Sequence, residues 1–184
     1  HTRPIRLFLN LIYWNKRKFY GTNPASKHFW GDISKRHFKY IRNHTFNGIN
    51  TLKYDPKMPY QVKAKEEYSN YWFSSSDGHT IEEFNALVTP ENILKLEKEG
   101  GLCIVYTHFA SGFVNKEGQL NQRFKENMKF LSTRNGWFAP AGEILDYMLE
   151  QRKEINPYAS SFYRAKLDML WVRDRIIKKV KTGR

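Results

Sequence analysis

Residues 102–107 read Leu-Cys-Ile-Val-Tyr-Thr, an apolar run of strand length with no charge in it. A run of this kind belongs in a sheet buried on both faces, the habit of parallel strands rather than antiparallel ones. The segments around it have helical spacing. Upstream, Thr89-Pro90 starts a helix with Pro at its first position, and Gly100-Gly101 stops it. Downstream, Leu120, Phe124, Met128 and Leu131 form one apolar stripe, and Ile144, Leu145, Met148 and Leu149 form another. Between the stripes lies Gly136-Trp137-Phe138-Ala139, which reads as a short strand.

The order extends upstream. Tyr68 to Ser74 reads as a strand ending in the polar turn Ser74-Ser75-Ser76-Asp77-Gly78-His79. Thr80-Ile81-Glu82-Glu83 is a capping box that opens a helix running to about Leu87. From Tyr68 to Leu149 the chain therefore alternates strand and helix, which predicts parallel strands with covering helices. The strands at 69–74 and 102–107 are expected to end side by side. Chemistry in such folds gathers at the C-terminal ends of strands, where loops project side chains into a shared mouth. His108 stands at that end, and histidine is the side chain best suited to move a proton near neutral pH. Asp77 and His79 follow the preceding strand and would share its mouth, although a polar turn before a cap is the plainer reading of that run. Trp72, Tyr106 and Trp137 have flat faces suited to a sugar ring, while aromatics in strands are more often core.

The order of strand, Val105-Tyr106-Thr107-His108, helix, aromatic strand and closing helix resembles the C-terminal part of the polysaccharide deacetylase (NodB-type carbohydrate esterase) family. The resemblance covers the second half of the chain to about residue 150. It implies an α/β fold, a partial (β/α) barrel with an N-terminal helical segment and a long C-terminal helix. It implies His108 as a general acid that protonates the leaving group, with a zinc-like divalent metal activating the attacking water. It also implies an acetylated polysaccharide or oligosaccharide as substrate; by their position and chemistry Asp77, His79, Trp72, Tyr106 and Trp137 are the candidates to contact it. The family's Thr-Phe-Asp-Asp-Gly motif is absent. His1-Thr2-Arg3-Pro4-Ile5 starts like the His-Ser/Thr-x-x-His-Pro motif but has Ile5 where the second histidine belongs. The metal ligands are thus not found in this sequence. The expectation is the C-terminal portion of a larger hydrolase, inactive by itself, or a processed form.

The rest of the chain reads as flanks. Residues 1–45 are a basic helical segment, 46–153 the β/α part, and 154–184 a basic amphipathic helix. The net charge of +13 is uneven: residues 1–43 hold ten Lys/Arg against one acid, and residues 161–184 hold eight against two. Such charge suits phosphate, but no nucleic-acid motif accompanies it, so nucleic acid is disfavoured. An anionic membrane surface or glycan fits equally well, and a non-catalytic cationic module on either is the second reading, at the cell envelope or the cytoplasmic face of a membrane. The apolar run Ile5 to Trp14 is too short to span a bilayer and reads as a buried helix, with an interfacial helix as the minority view. Ser26 to Tyr40 reads as a helix whose His28, Asp32 and His37 are structural or solvated. Phe46 to Tyr54 reads as a strand. Pro157 to Lys181 reads as a long helix in which Phe162, Met169 and Ile176 recur every seven residues, as do Tyr163, Leu170 and Ile177. Core packing is the first reading of those stripes, with self-association or membrane-surface binding behind it. The lone Cys103 cannot form an internal disulfide.

Overall fold

The computed structural model describes residues 24–152 and 156–182. The run Ile5 to Trp14 and the His1–Ile5 motif lie outside them. Among the described residues the chain is a mixed α/β structure. Its three strands are β1 (Tyr40–Phe46), β2 (Tyr71–Asp77) and β3 (Val105–Tyr106), in spatial order β1-β2-β3. Both pairings are parallel, and Ser76 and Asp77 register against Val105 and Tyr106. The expected side-by-side ends of the second and third strands are therefore present.

Among the described residues seven α-helices accompany the sheet: α1 (Gly31–His37), α2 (Thr51–Tyr54), α3 (Ile81–Leu87), α4 (Pro90–Lys98), α5 (Gln122–Ser132), α6 (Ala141–Glu150) and α7 (Ser161–Thr182). Their ends follow from local chemistry. The Thr80 hydroxyl accepts from Glu83 N at the start of α3, and the Thr89 hydroxyl accepts from Asn92 N at the start of α4. Gly100, at φ +55°, ends α4 in a conformation that a β-carbon disfavours. The Glu83 side chain does not complete the capping box; it pairs with Lys178 of α7 at 2.5 Å.

Several boundaries differ from expectation. The first strand lies at 40–46, not 46–54. Asn47 and Gly48 break it, and the Asn50 side chain then accepts from Lys53 N to cap α2. The first described helix is only Gly31–His37. The second strand runs on through Ser74, Ser75 and Ser76 to Asp77 instead of turning there. Those polar residues are tolerated because each finds a distant partner. Ser74 donates to Asp55 at 2.6 Å, Ser75 to Thr45 at 3.4 Å, and Ser76 to the Gly48 carbonyl at 2.7 Å. Only Val105–Tyr106 of the run 102–107 forms a ladder, since Thr51 captures what precedes it: Thr51 N bonds the Leu102 carbonyl and the Thr51 hydroxyl accepts from Ile104 N. Gly136–Ala139 is irregular. Its run is short, Pro140 follows, and both Trp137 and Phe138 stand in solvent.

Two apolar cores lie against the sheet. Phe46, Met58, Tyr60, Trp72, Ile104, Leu145, Tyr163 and Leu167 make the first, beneath α6 and α7. Ile49, Ile81, Phe84, Leu87, Val88, Ile93 and Phe113 make the second, with Phe124, Met128 and Leu131 of α5 packed on it. Ile104 joins the first core and Cys103 packs on the second, because neighbouring residues of an extended chain point to opposite faces. The α5 and α6 stripes pack largely as expected, although Leu120 remains 46% exposed. In α7 the expectation holds for Tyr163 and Leu170 and fails for Phe162, Met169, Ile176 and Ile177, which face solvent. The inward face instead carries Leu167 with two buried acids, Asp168 and Asp174. Leu167 is fully buried, so Leu167→Ala is expected to cost about 2–5 kcal/mol in urea unfolding. A change under about 1 kcal/mol would mean that α7 is not part of the cooperative core.

Candidate functional site

β2 and β3 end together, and their register sets the site. Gly78 N bonds the Tyr106 carbonyl at 2.9 Å, and His108 N bonds the His79 carbonyl at 3.1 Å. These two bonds carry the pairing past the strand ends and bring His79 and His108 side by side, ring centroids 4.6 Å apart. Gly78 permits the close approach: a β-carbon there would lie 3.1 Å from Val105 Cγ2 and 3.3 Å from Phe84 Cα. Tyr106 lies beneath both imidazoles, 4.9 Å from the His108 ring and 5.8 Å from the His79 ring. Its hydroxyl is hydrogen-bonded to His108 Nε2. The Arg42 guanidinium lies over the tyrosine ring, 3.5 Å from its centroid, an attraction between a cation and a π face. The result is an exposed cluster of two imidazoles, a phenol and a guanidinium at the C-terminal edge of the sheet.

Asp77 shares the edge but not the cluster. Its carboxylate, 8% exposed, accepts from Arg175 Nη2 and Lys178 Nζ of α7, each at 3.0 Å. Burial pushes this carboxyl up. The hydrogen bond and charge of Lys178, with Arg175 beside it, outweigh burial and hold it below the ordinary carboxylate range. It is therefore engaged with cations rather than with an imidazole.

The aromatic candidates separate. Trp72 is buried in the first core, with its indole N–H on Ser69 Oγ at 3.0 Å and Lys65 over its ring, so no face is open to a sugar. Trp137 is 55% exposed and packs edge-on against Tyr147 at 5.3 Å. It lies on a largely apolar groove with a cavity volume of about 520 Å³. Val105, Thr107 and Phe109 line the same groove, whereas Tyr106 and His108, on the alternate side of the strand, do not. A volume of this size is ordinary for a ligand cleft. The Thr107 hydroxyl in its wall is buried with no hydrogen-bond partner among the described residues. Cys103 also lines it, and burial pushes its thiol up to about 11, opposed by Ser76; a thiol held protonated is a poor nucleophile.

Sequence reasoning missed Arg42, Arg175 and Lys178. Arg42 reaches the site only because β1 begins six residues before the expected strand, and the two α7 cations arrive from about a hundred residues away along the chain. A second buried polar group was also missed. Asp55 is fully buried and accepts from Ser74 Oγ at 2.6 Å and from the Tyr163 hydroxyl at 2.5 Å. Near it, His44 Nε2 and Asp168 Oδ1 are 3.0 Å apart. These groups tie α7 to the sheet.

A protein-bound zinc needs three or four convergent ligands. Among the described residues no group of three or more His, Cys, Asp or Glu side chains converges in that way. His79 and His108 are two, and Asp77 is turned to α7. The described residues therefore do not by themselves supply the ligand set that the resemblance implies. In equilibrium dialysis this chain is expected to hold zinc no more tightly than any protein with surface histidines. One tight zinc per chain would contradict this and direct attention to His79 and His108.

Compared with protein-family models, curated proteins and solved structures, the chain matches none.

Proposed function

We propose that this chain supplies the proton-donating side of the substrate mouth in a polysaccharide deacetylase-like hydrolase, one whose implied metal is held by residues other than those described. The observation that carries the reading is the position of His108. It stands two residues past β3, it is exposed, and its Nε2 is held by the Tyr106 hydroxyl at an edge shared with β2. In this reading an acetylated glycan crosses the strand end at His108, outside the lining of the groove, and the exposed rings of Trp137 and Phe138 take sugar faces further along. His108 delivers its proton to the nitrogen or oxygen that leaves as the tetrahedral carbon collapses. The bond from the acetyl carbon to that atom breaks, and the freed amine or alcohol carries the proton away. His79 and Arg42 flank the donor and fix the tyrosine that orients it.

The barrel arc belongs to the same proposal. Three parallel neighbours with chemistry at their C-terminal ends suit it. An open parallel sheet places its ligands at the same edge, so the reading of the mouth does not depend on closure into a barrel.

The test is acetate release from acetylated chitooligosaccharide or acetylated xylan by the protein that contains this chain, with divalent metal supplied. Release that depends on His108 supports the reading. No release from any acetylated glycan, with the protein folded, would overturn it.

A further inference from the structure

We infer that the outer face of α7 docks on an anionic lipid bilayer. The helix has two faces of different character. Inward it packs Tyr163 and Leu167 into the first core and buries both of its acids. Asp168 faces His44, and Asp174 accepts from Asn47 N at 2.9 Å. Outward stand Phe162, 82% exposed, Met169, Ile176 and Val180, 80% exposed. At about 100° per residue these four fall within an arc of about 40° along a crest roughly 27 Å long. They are not a seam awaiting the core, because the core already has the opposite face.

Charge decides what covers that crest. Lys166 and Arg173 are exposed just to one side of it and Lys179 to the other. Arg173 also reaches back to Asp174 at 3.4 Å, yet its side chain stays 58% exposed. Since both acids of α7 are buried inward, the outer face carries cations and no carboxylate. A second copy of this helix would bring like charges together beside the crest, where opposite charges are needed. A nucleic acid would meet the cations but leave the phenyl, thioether and aliphatic groups in water. A bilayer surface with anionic headgroups meets both. The crest lies in the plane of the interface with its side chains among the upper acyl carbons, while the Lys and Arg heads extend to phosphates. Among the described residues no helix is long and apolar enough to cross a membrane, so this is attachment along a surface. The inference goes beyond the hydrolase reading and stands without it, since it concerns where the molecule sits.

Co-sedimentation of the 184-residue chain with vesicles tests it. The vesicles are phosphatidylcholine alone, or phosphatidylcholine mixed with phosphatidylglycerol, at low and high salt. Binding is expected on the mixed vesicles, weak on the neutral ones, and reduced by salt. The Lys166→Gln/Arg173→Gln/Lys179→Gln variant is expected to bind about a hundredfold less, as each surface cation is worth roughly fivefold. Phe162→Ser/Ile176→Ser changes exposed residues and should leave the fold intact by circular dichroism, yet lower binding at least about tenfold. Full binding by that serine variant would overturn the proposal, because charge elsewhere on the chain would then suffice. So would absence of binding to mixed vesicles, or a dimer in solution that the serine variant dissociates while vesicle binding is unchanged.

Discussion

His108→Ala should reduce acetate release by about a hundredfold to ten-thousandfold, the usual worth of a positioned proton donor, with little change in KM. A general acid acts as the carbon–nitrogen or carbon–oxygen bond breaks, so its loss belongs in kcat rather than in ground-state affinity. His108→Gln should fare no better. Glutamine can keep a hydrogen bond to the Tyr106 hydroxyl but cannot deliver a proton. Tyr106→Phe removes the group that holds His108 Nε2 and leaves the imidazole present. It should cost less than either His108 change, and also in kcat. If His108→Ala and His108→Gln both release acetate at the wild-type rate while folded, the histidine is structural and the mouth must be sought elsewhere.

The part of this site that could be read from sequence is the part built from neighbouring segments. Tyr106 closes one strand, His108 and His79 follow the ends of that strand and its neighbour, and the alternating order of strands and helices was enough to place them together. Arg42 could not be placed so. It belongs to a strand whose start is set by tertiary pairing of Tyr40 with Tyr71, and nothing local in Lys39-Tyr40-Ile41-Arg42 outweighed the helix expected across Ser26 to Tyr40. Local propensity is a weak prior against such pairing.

The same contrast runs through the fold. Caps at Thr80 and Thr89 and the stop at Gly100 are local chemistry, and α3 to α6 lie close to where those signals and the apolar stripes put them. Ser74 to Asp77 misled because serines and aspartate in a row favour a turn when only their own backbone is considered. What makes them a strand is Asp55, Thr45, Gly48 and α7, all distant in sequence. In α7 the heptad spacing was genuine, but two heptad rows were available. The choice between them rested on Asp168 and Asp174, whose partners His44 and Asn47 lie in and just after β1. Burial of an acid by a distant partner leaves no trace in the periodicity of its own helix.

Asp77→Asn is expected to destabilise the protein at neutral pH by about 2 kcal/mol. Removing one member of a fully buried ion pair typically costs about 3–5 kcal/mol. Here the side chains of Arg175 and Lys178 keep 24% and 23% exposure, and Lys178 retains Glu83, so the orphaned cations are partly relieved by water and by the second acid. The pH dependence has a definite sign. The folded carboxyl is held below its ordinary range, so its contribution is fully present above the unfolded pKa of about 3.9 and fades as pH falls through the lower folded value. The gap between wild type and Asp77→Asn in urea unfolding should then be constant from neutrality to mildly acid pH and close below about pH 4. Asp55 works the other way. Burial raises its carboxyl, against hydrogen bonds from Ser74 and Tyr163 and the charges of His44 and Arg152. Its contribution is present below the unfolded pKa and fades as pH rises through the folded one. Asp55 is common to both proteins and cancels in the difference, which isolates the contact between Asp77 and α7. A gap that persists unchanged into strong acid would show that something other than the Asp77 charge fastens α7 to the sheet. A variant as stable as wild type that binds glycan less tightly would return Asp77 to the substrate role its place after the strand suggests.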